Sequence, residues 1–402
     1  MLKLLKLKVN GYKLLDDHFE LDLVSKARVY QEDKEKEMLE VDKGLYTFRS
    51  MAFVGGNSSG KSTVLSILLK VLLFLQTGRW EYIPREFNKN EITIETIFYL
   101  DEHIYNYSFV VGKIDNEKMS SANRYSPIIN EKLTKLKYDK LRGLKNLDLI
   151  REKGDDVSSL FISSLNDTSA ITKITNNNVS VDEFNNNNIS NFNETIVRNT
   201  FFTSLNSCDR KLVSSIIKLL DDSIECIKYD NSEFVHFKRV DEEEKIIHTR
   251  ELLAILSAGT FRGVELFIRC INALKAGKVF IVDEIENCFQ KNLVYNLLFL
   301  FNDDKINSNG AQLIFSTHYV EILDYLKRRD GIFITHKNNG CITTNNLYSD
   351  YNVRTELSKS KQFDNNVFNT SLNYKQVLEV RRNLIDELHI NNDWRIRWTC
   401  IC

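Results

Sequence analysis

The sequence predicts an α/β fold with a mixed sheet and an inserted, mostly helical lobe. Three observations predict it. After residue 250, apolar strand-like runs alternate with helix-like ones, the pattern of a largely parallel sheet. Near the N-terminus, paired runs alternate apolar and polar residues, the pattern of half-buried antiparallel strands. Between them, residues 115–205 turn rich in Asn, Ser, Lys and Asp, with "NNN" and "NNNN" tracts that bury little.

The elements follow in order. "LKLLKLKVNGY" and "DHFELDL" read as neighbouring strands, and "YQEDKEKEMLEVDKG" as a solvated loop or hairpin tip. "YTFRSMAFVGG" reads as a strand, and "KSTVLSILLKVLLFLQTG" as a buried helix capped by Gly78. "EITIETIFYLDEHIYNYSFVVGK" reads as an antiparallel hairpin turning at "DEH". Helical spacing predicts an exposed helix over "EKLTKLKYDKLRGLKNLDLIREK", a second over "DRKLVSSIIKLLDDSIECI", and a strand over "EFVHFKRV". Then come helix "TFRGVELFIRCINALKAG", strand "KVFIVDE", helix "KNLVYNLLFLFND", strand "AQLIFSTH", helix "YVEILDYLKR" and strand "DGIFITHK". This divides the chain into 1–114, an inserted lobe at 115–245, a return to the sheet at 246–350, and an unassigned polar tail at 351–402.

Bulk properties narrow the setting. A chain of 402 residues with 43% hydrophobic and 27% charged residues can build a large core. Its formal net charge of −1 provides no whole-molecule field for nucleic acid or membrane. Seven scattered cysteines without a CxxC pair fit a reducing compartment. Lysines interrupt "MLKLLKLKVNGYKLL", unlike a signal peptide, and no run reaches the ~18 apolar residues of a spanning helix. The expected setting is the cytoplasm, with no membrane.

The stretch "FVGGNSSGKSTVL" carries the chemistry. Gly55-x4-Gly60-Lys61-Ser62 matches the phosphate-binding loop and sits between a predicted strand and helix, as the motif requires. Its glycines let backbone N–H groups of Gly55, Gly56, Asn57, Ser58, Ser59 and Gly60 turn inward at anionic oxygens. The helix dipole adds to the same spot. Lys61 would reach the β- and γ-phosphates of ATP, Ser62 would ligate Mg²⁺, and Thr63 follows on the helix. "KVFIVDE" ends an apolar strand in two carboxylates, a costly arrangement unless cations neutralise them. Asp283 would hold Mg²⁺, and Glu284 would act as general base on the attacking water. "LSAGT" places Ser257 and Gly259 at a second helix N-terminus, read either as an ordinary cap or as a second anion site. "LIFSTH" ends a strand in His318, which can hydrogen-bond a γ-phosphate.

In this order, "GGNSSGKST", "LSAGT", "VFIVDE" and "IFSTH" resemble the Walker A, signature, Walker B and switch-histidine motifs of ABC-type ATPases. "KLKVNGYKLLDDHFELDL" and the Asn57 loop resemble the SMC/RecF/OLD-like branch. "IENCFQKNLV" resembles stand-alone AAA-type ATP-binding proteins of bacterial abortive-infection (AbiL-like) phage-defence systems. The resemblance covers residues 1–110 and 245–350. It implies an ABC/SMC-like P-loop ATPase head acting as a head-to-tail homodimer or higher homo-oligomer, with Ser257 and Gly259 of one chain capping the γ-phosphate held by Lys61 of the other. Glu284 and His318 would complete hydrolysis. Gln290 stands where relatives often carry histidine, and no Q-loop glutamine is assigned, Gln76 lying too close to the P-loop. Hydrolysis is therefore expected to be slow. The tail is too short for the nuclease domain of OLD-type relatives, so an effector is expected on a separate protein. Three functions compete: a defence switch controlling such an effector, a RecF/SMC-like genome-maintenance ATPase that binds DNA directly, and a scaffold that binds ATP without turnover, against which the intact Asp283 and Glu284 argue. A transporter subunit fits least, since the run after Glu284 is not of the transporter type.

Overall fold

The N-terminal runs pair as their alternation predicts: β1 (Lys3–Asn10) and β2 (Phe19–Asp22) are antiparallel, with Leu7 opposite Leu21 and Val9 opposite Phe19. The computed structural model describes residues 1–112, 128–138, 147, 150–158, 171–175, 179–185, 209–229, 233–288, 291–352, 357–370 and 374–388. The charged stretch after β2 is more than a loop. It holds a short helix, Gln31–Lys36, and one strand of a hairpin, β3 (Met38–Asp42) with β4 (Leu45–Phe48). Arg49 breaks the next expected strand in two, its side chain donating to the carbonyls of Met38 and Asn307; β5 (Ser50–Val54) follows. β6 (Glu91–Leu100) and β7 (His103–Gly112) form the expected hairpin. Its turn residues Asp101 and Glu102 take φ of +48° and +63°, the left-handed values a two-residue hairpin turn needs.

The helix expected over 131–153 is corrected. β8 (Ile128–Lys137) lies antiparallel to β7, and among the described residues only Ile150–Lys153 is helical there. The cause is tertiary: β7 offers an open edge, and pairing with it buries Leu133 in the main core. β9 (Asp155–Asp156) completes a sheet in the order β2-β1-β6-β7-β8-β9. β10 (Val181–Asn185) belongs to the second sheet described below. The helix Arg210–Leu220 forms as expected, its Asp209 cap accepting from the N–H groups of Lys211 and Leu212. The end of that stretch, read as helix, is instead β11 (Ile224–Tyr229). It pairs with β12 (Phe234–Arg239), which pairs with β13 (Lys245–His248).

The second sheet positions the site. β14 (Val279–Asp283), β15 (Gln312–Thr317), β16 (Ile332–Asn338) and β17 (Cys341–Asn346) join β5 and β10 in the order β10-β14-β15-β5-β16-β17. All neighbours are parallel except β16 and β17. Every residue of β5 is buried, as expected of a central parallel strand covered on both faces. Alternate residues split between two cores. Met51, Phe53, Ile281, Ile314 and Phe333 join the helix Lys61–Thr77 and the first sheet. Ala52, Val54, Val282, Phe315 and Ile334 join the helices Ala258–Ala276 and Lys291–Asn302. The helix Lys61–Thr77 is thus sandwiched between two sheets, which explains its nearly continuous apolar sequence. Gly78 ends it at φ +62°, as read from the sequence.

The helix expected over "YVEILDYLKR" is cut to Ile322–Tyr325. Glu37 explains this: its carboxylate accepts from the backbone N–H groups of Lys327 and Arg328, taking donors that a longer helix would use. Among the described residues no helix is long and apolar enough to cross a membrane. One stability prediction follows from the packing. Phe53 is fully buried and stacks on Phe333 with ring centroids 5.0 Å apart. Phe53→Ala is expected to cost about 3–5 kcal/mol, read by urea unfolding.

Candidate nucleotide site

Three parallel strands end at one place. β5 runs into Gly55–Gly60, β14 ends at Asp283 and Glu284, and β15 runs into His318. Such carboxyl ends are where open α/β sheets bind ligands. β15 lies between the other two, so the loop and the carboxylates sit two strands apart with His318 between them.

The loop conformation requires its glycines. Gly60 has φ +107°, and a Cβ there would meet the Ile342 side chain at 2.5 Å. A Cβ on Gly55 would lie 2.5 Å from the Thr335 carbonyl oxygen, and one on Gly56 2.8 Å from that of Thr370. Ser58 also takes a left-handed φ, +58°. Ser59 faces inward, its hydroxyl 2.7 Å from that of Thr335, while Asn57 and Ser62 are exposed and Thr63 is half-buried. Gly60, the N-cap, has no side chain to satisfy the first turn of the helix, so those N–H groups remain for a ligand.

Lys61 is only 5% exposed, and its ammonium donates to the carbonyls of Gly55 at 3.0 Å and Gly56 at 3.1 Å. Burial pushes its pKa down, opposed by the carboxylates of Glu286, Glu284 and Asp283. The lysine therefore faces the acidic end of β14 across the site. The Ser316 hydroxyl fixes that end, donating to Asp283 Oδ1 and accepting from the Glu284 N–H at 2.7 Å. Glu284 itself is held at φ +51°, a strained conformation of the kind concentrated at functional sites. Its Oε1 lies 3.9 Å from His318 Nε2, and its Oε2 accepts from Asn287. The 3-10 turn Ile285–Cys288 brings Glu286 back so that it accepts from the His318 backbone N–H.

A pocket of about 280 Å³ adjoins these groups, lined by Gly55, Gly56, Asn57, Thr317, His318 and Val320 and closed by Phe363 and Thr370. Ser257 and Gly259 do not line it. Ser257 caps the helix Ala258–Ala276, its hydroxyl accepting from the Thr260 N–H at 3.0 Å, and Gly259 beside it is exposed. Gln76 is structural: its Oε1 accepts from the Val181 N–H at 3.3 Å. Gln290 lies outside the described residues.

Ser316, Glu286, Thr335, Phe363 and Thr370 escaped the sequence reading. Glu286 alone left a signal, a second carboxylate two positions beyond Glu284. The others reach the site through pairings with no local trace.

Comparison with known proteins places the chain in a family. Residues 50–324 match the family described as "AAA domain, putative AbiEii toxin, Type IV TA system". The chain belongs to that family. No curated protein matches it. Solved structures that it resembles include the SMC head domain from Thermotoga maritima, at TM-score 0.41 and 14% identity over 86% of this chain and 99% of that one. Another is an SMC head bound to the C-terminal winged-helix domain of ScpA, at TM-score 0.42 and 14% identity over 86% and 97%.

The side chains fit Mg²⁺ with a triphosphate. Asp283, the exposed Ser62 hydroxyl and Glu286 Oε2, a buried oxygen without a hydrogen-bond partner among the described residues, are all hard oxygen donors. The described residues contain no group of three or more His, Cys, Asp or Glu placed to hold a metal. Few protein ligands suit Mg²⁺, which keeps waters and takes one or two carboxylates beside substrate phosphates.

Proposed function

We propose that this chain is an ATP-binding and ATP-hydrolysing switch that works as a dimer in an anti-phage defence system and controls a separately encoded effector. The observation that carries the ATPase reading is the convergence of Lys61, Asp283, Glu284 and His318 at the ends of β5, β14 and β15. In this reading Lys61 leaves the carbonyls of Gly55 and Gly56 for the β- and γ-phosphate oxygens, and the first-turn N–H groups hold the same oxygens. Glu284 Oε1 takes a proton from the attacking water, and His318 Nε2 hydrogen-bonds the γ-phosphate. Ser316 is a positioning residue, holding Asp283 and the Glu284 backbone. Bound Mg²⁺ would neutralise charge developing on the phosphate oxygens.

The dimer reading is supported by Gly259. Among the described residues a Cβ there would meet only Ser257 Oγ, at 3.7 Å, so no packing among them requires glycine. Close approach of a second chain's γ-phosphate would. The defence reading is supported by the family's description, "AAA domain, putative AbiEii toxin, Type IV TA system", and by the resemblance of "IENCFQKNLV" to abortive-infection (AbiL-like) proteins. Phosphate release by the wild type, compared with Glu284→Gln, tests the ATPase. Equal rates would refute the role given to Glu284.

Gly259→Gln offers a separate check on the dimer. It is expected to leave folding and nucleotide binding by one chain intact while lowering ATP turnover at least about tenfold, read by phosphate release and thermal melting.

A further inference from the structure

A second cleft, of about 830 Å³, lies between the segment Ala27–Asp33, the turn Asp324–Asp330 and the start of the helix Lys359–Asp364. Its acids are already engaged by this chain. Arg328 donates to both carboxylate oxygens of Asp330 and to Asp33, and also to the carbonyls of Ala27 and Arg28. Asp324 accepts from the backbone N–H groups of Lys359 and Ser360 and from the Ser360 hydroxyl. The same cleft is lined by four further cations: Arg28, Lys327, Arg329 and Lys359.

Lys359 is unusually placed for a surface lysine. It is 9% exposed, and its ammonium makes no hydrogen bond or ion pair among the described residues. Burial lowers its pKa; Asp324 and Glu37 oppose the shift, and Arg329 adds to it. Asp324 and Glu37 offset part of the cost of holding a cation in this dry position beside Arg329, and a bound anion would offset more of it. Two aromatic rings border the same cleft. Tyr30 is 60% exposed and Tyr348 48% exposed, and the Arg28 guanidinium lies 5.4 Å from the Tyr30 ring centroid. Exposed aromatic faces interleaved with cations are the arrangement that binds unpaired bases and their phosphates together. A duplex keeps its base faces stacked and has no use for the tyrosines.

We propose that this cleft binds a short stretch of single-stranded nucleic acid, with phosphates on Lys327, Arg329 and Lys359 and bases stacked on Tyr30 and Tyr348. The inference stands apart from ATP turnover, since none of these residues lines the P-loop pocket.

The test is fluorescence anisotropy of a fluorescein-labelled oligothymidylate, about ten nucleotides long, titrated with the full chain at low and moderate salt. Binding that weakens with salt is expected. The double variant Lys327→Glu/Arg329→Glu should lower affinity at least about tenfold and flatten the salt slope by about two. Tyr348→Ala should lower affinity about fivefold or more through lost stacking. Both variants should melt at the wild-type temperature and release phosphate from ATP at the wild-type rate. An unchanged affinity in the folded variants would overturn the proposal. So would equal affinity for the matching duplex, or displacement of the strand by tripolyphosphate at the same concentration as by unlabelled strand.

Discussion

Glu284→Gln is expected to cut ATP turnover by about two to four orders of magnitude, the usual contribution of a positioned general base, while ATP still binds. Glutamine keeps the size and the hydrogen-bonding reach of glutamate but cannot take a proton. The left-handed backbone at Glu284, fixed by Ser316 and matched to His318 at 3.9 Å, should survive the exchange. Phosphate release and equilibrium binding of a fluorescent ATP analogue separate the two quantities. A variant that loses both would point to a structural role for Glu284. One that loses neither would remove it from the chemistry.

Lys61→Ala has the larger expected effect on binding. The ammonium is the positive charge that the P-loop brings to the phosphates, and in the present structure carbonyls of Gly55 and Gly56 hold it in reserve. A charge-assisted hydrogen bond contributes about 1.5–3 kcal/mol, so losing the bonds to two phosphate groups should lower ATP affinity by at least two orders of magnitude. Stability should move the other way or hardly at all. Lys61 is buried and its pKa is depressed by that burial, so the folded chain gains little from its charge. Isothermal titration with ATP and a thermal melt would show the two outcomes together. Lost binding with a wild-type melting temperature is the expected result.

Much of this site could be read from sequence because its parts are local. A phosphate loop is one uninterrupted turn whose glycines answer to backbone geometry, as Gly60 at φ +107° illustrates. Residues 279–282 and 313–315 are apolar because parallel strands buried on two faces have no polar side, and the polar ends of their strands mark the site. What could not be read depends on partners distant in sequence. β8 carries a helix-like apolar spacing, yet the edge of β7 makes it a strand. The helix after His318 stops early because Glu37, far back in the chain, takes its backbone donors. Phe363 and Thr370 reach the P-loop pocket from a tail whose composition gave no hint of it. Ser316 is hidden for another reason: one hydroxyl in a strand looks like any other until Asp283 and Glu284 are seen beside it.

The central claim is that each triphosphate pocket is completed by a second copy of the chain, with Ser257 and Gly259 brought to the nucleotide on Lys61. Light scattering coupled to size-exclusion chromatography on Glu284→Gln, with and without ATP and Mg²⁺, tests it most directly. The mass of one chain without nucleotide and of two chains with ATP is the expected result. A single-chain mass at saturating ATP would contradict it.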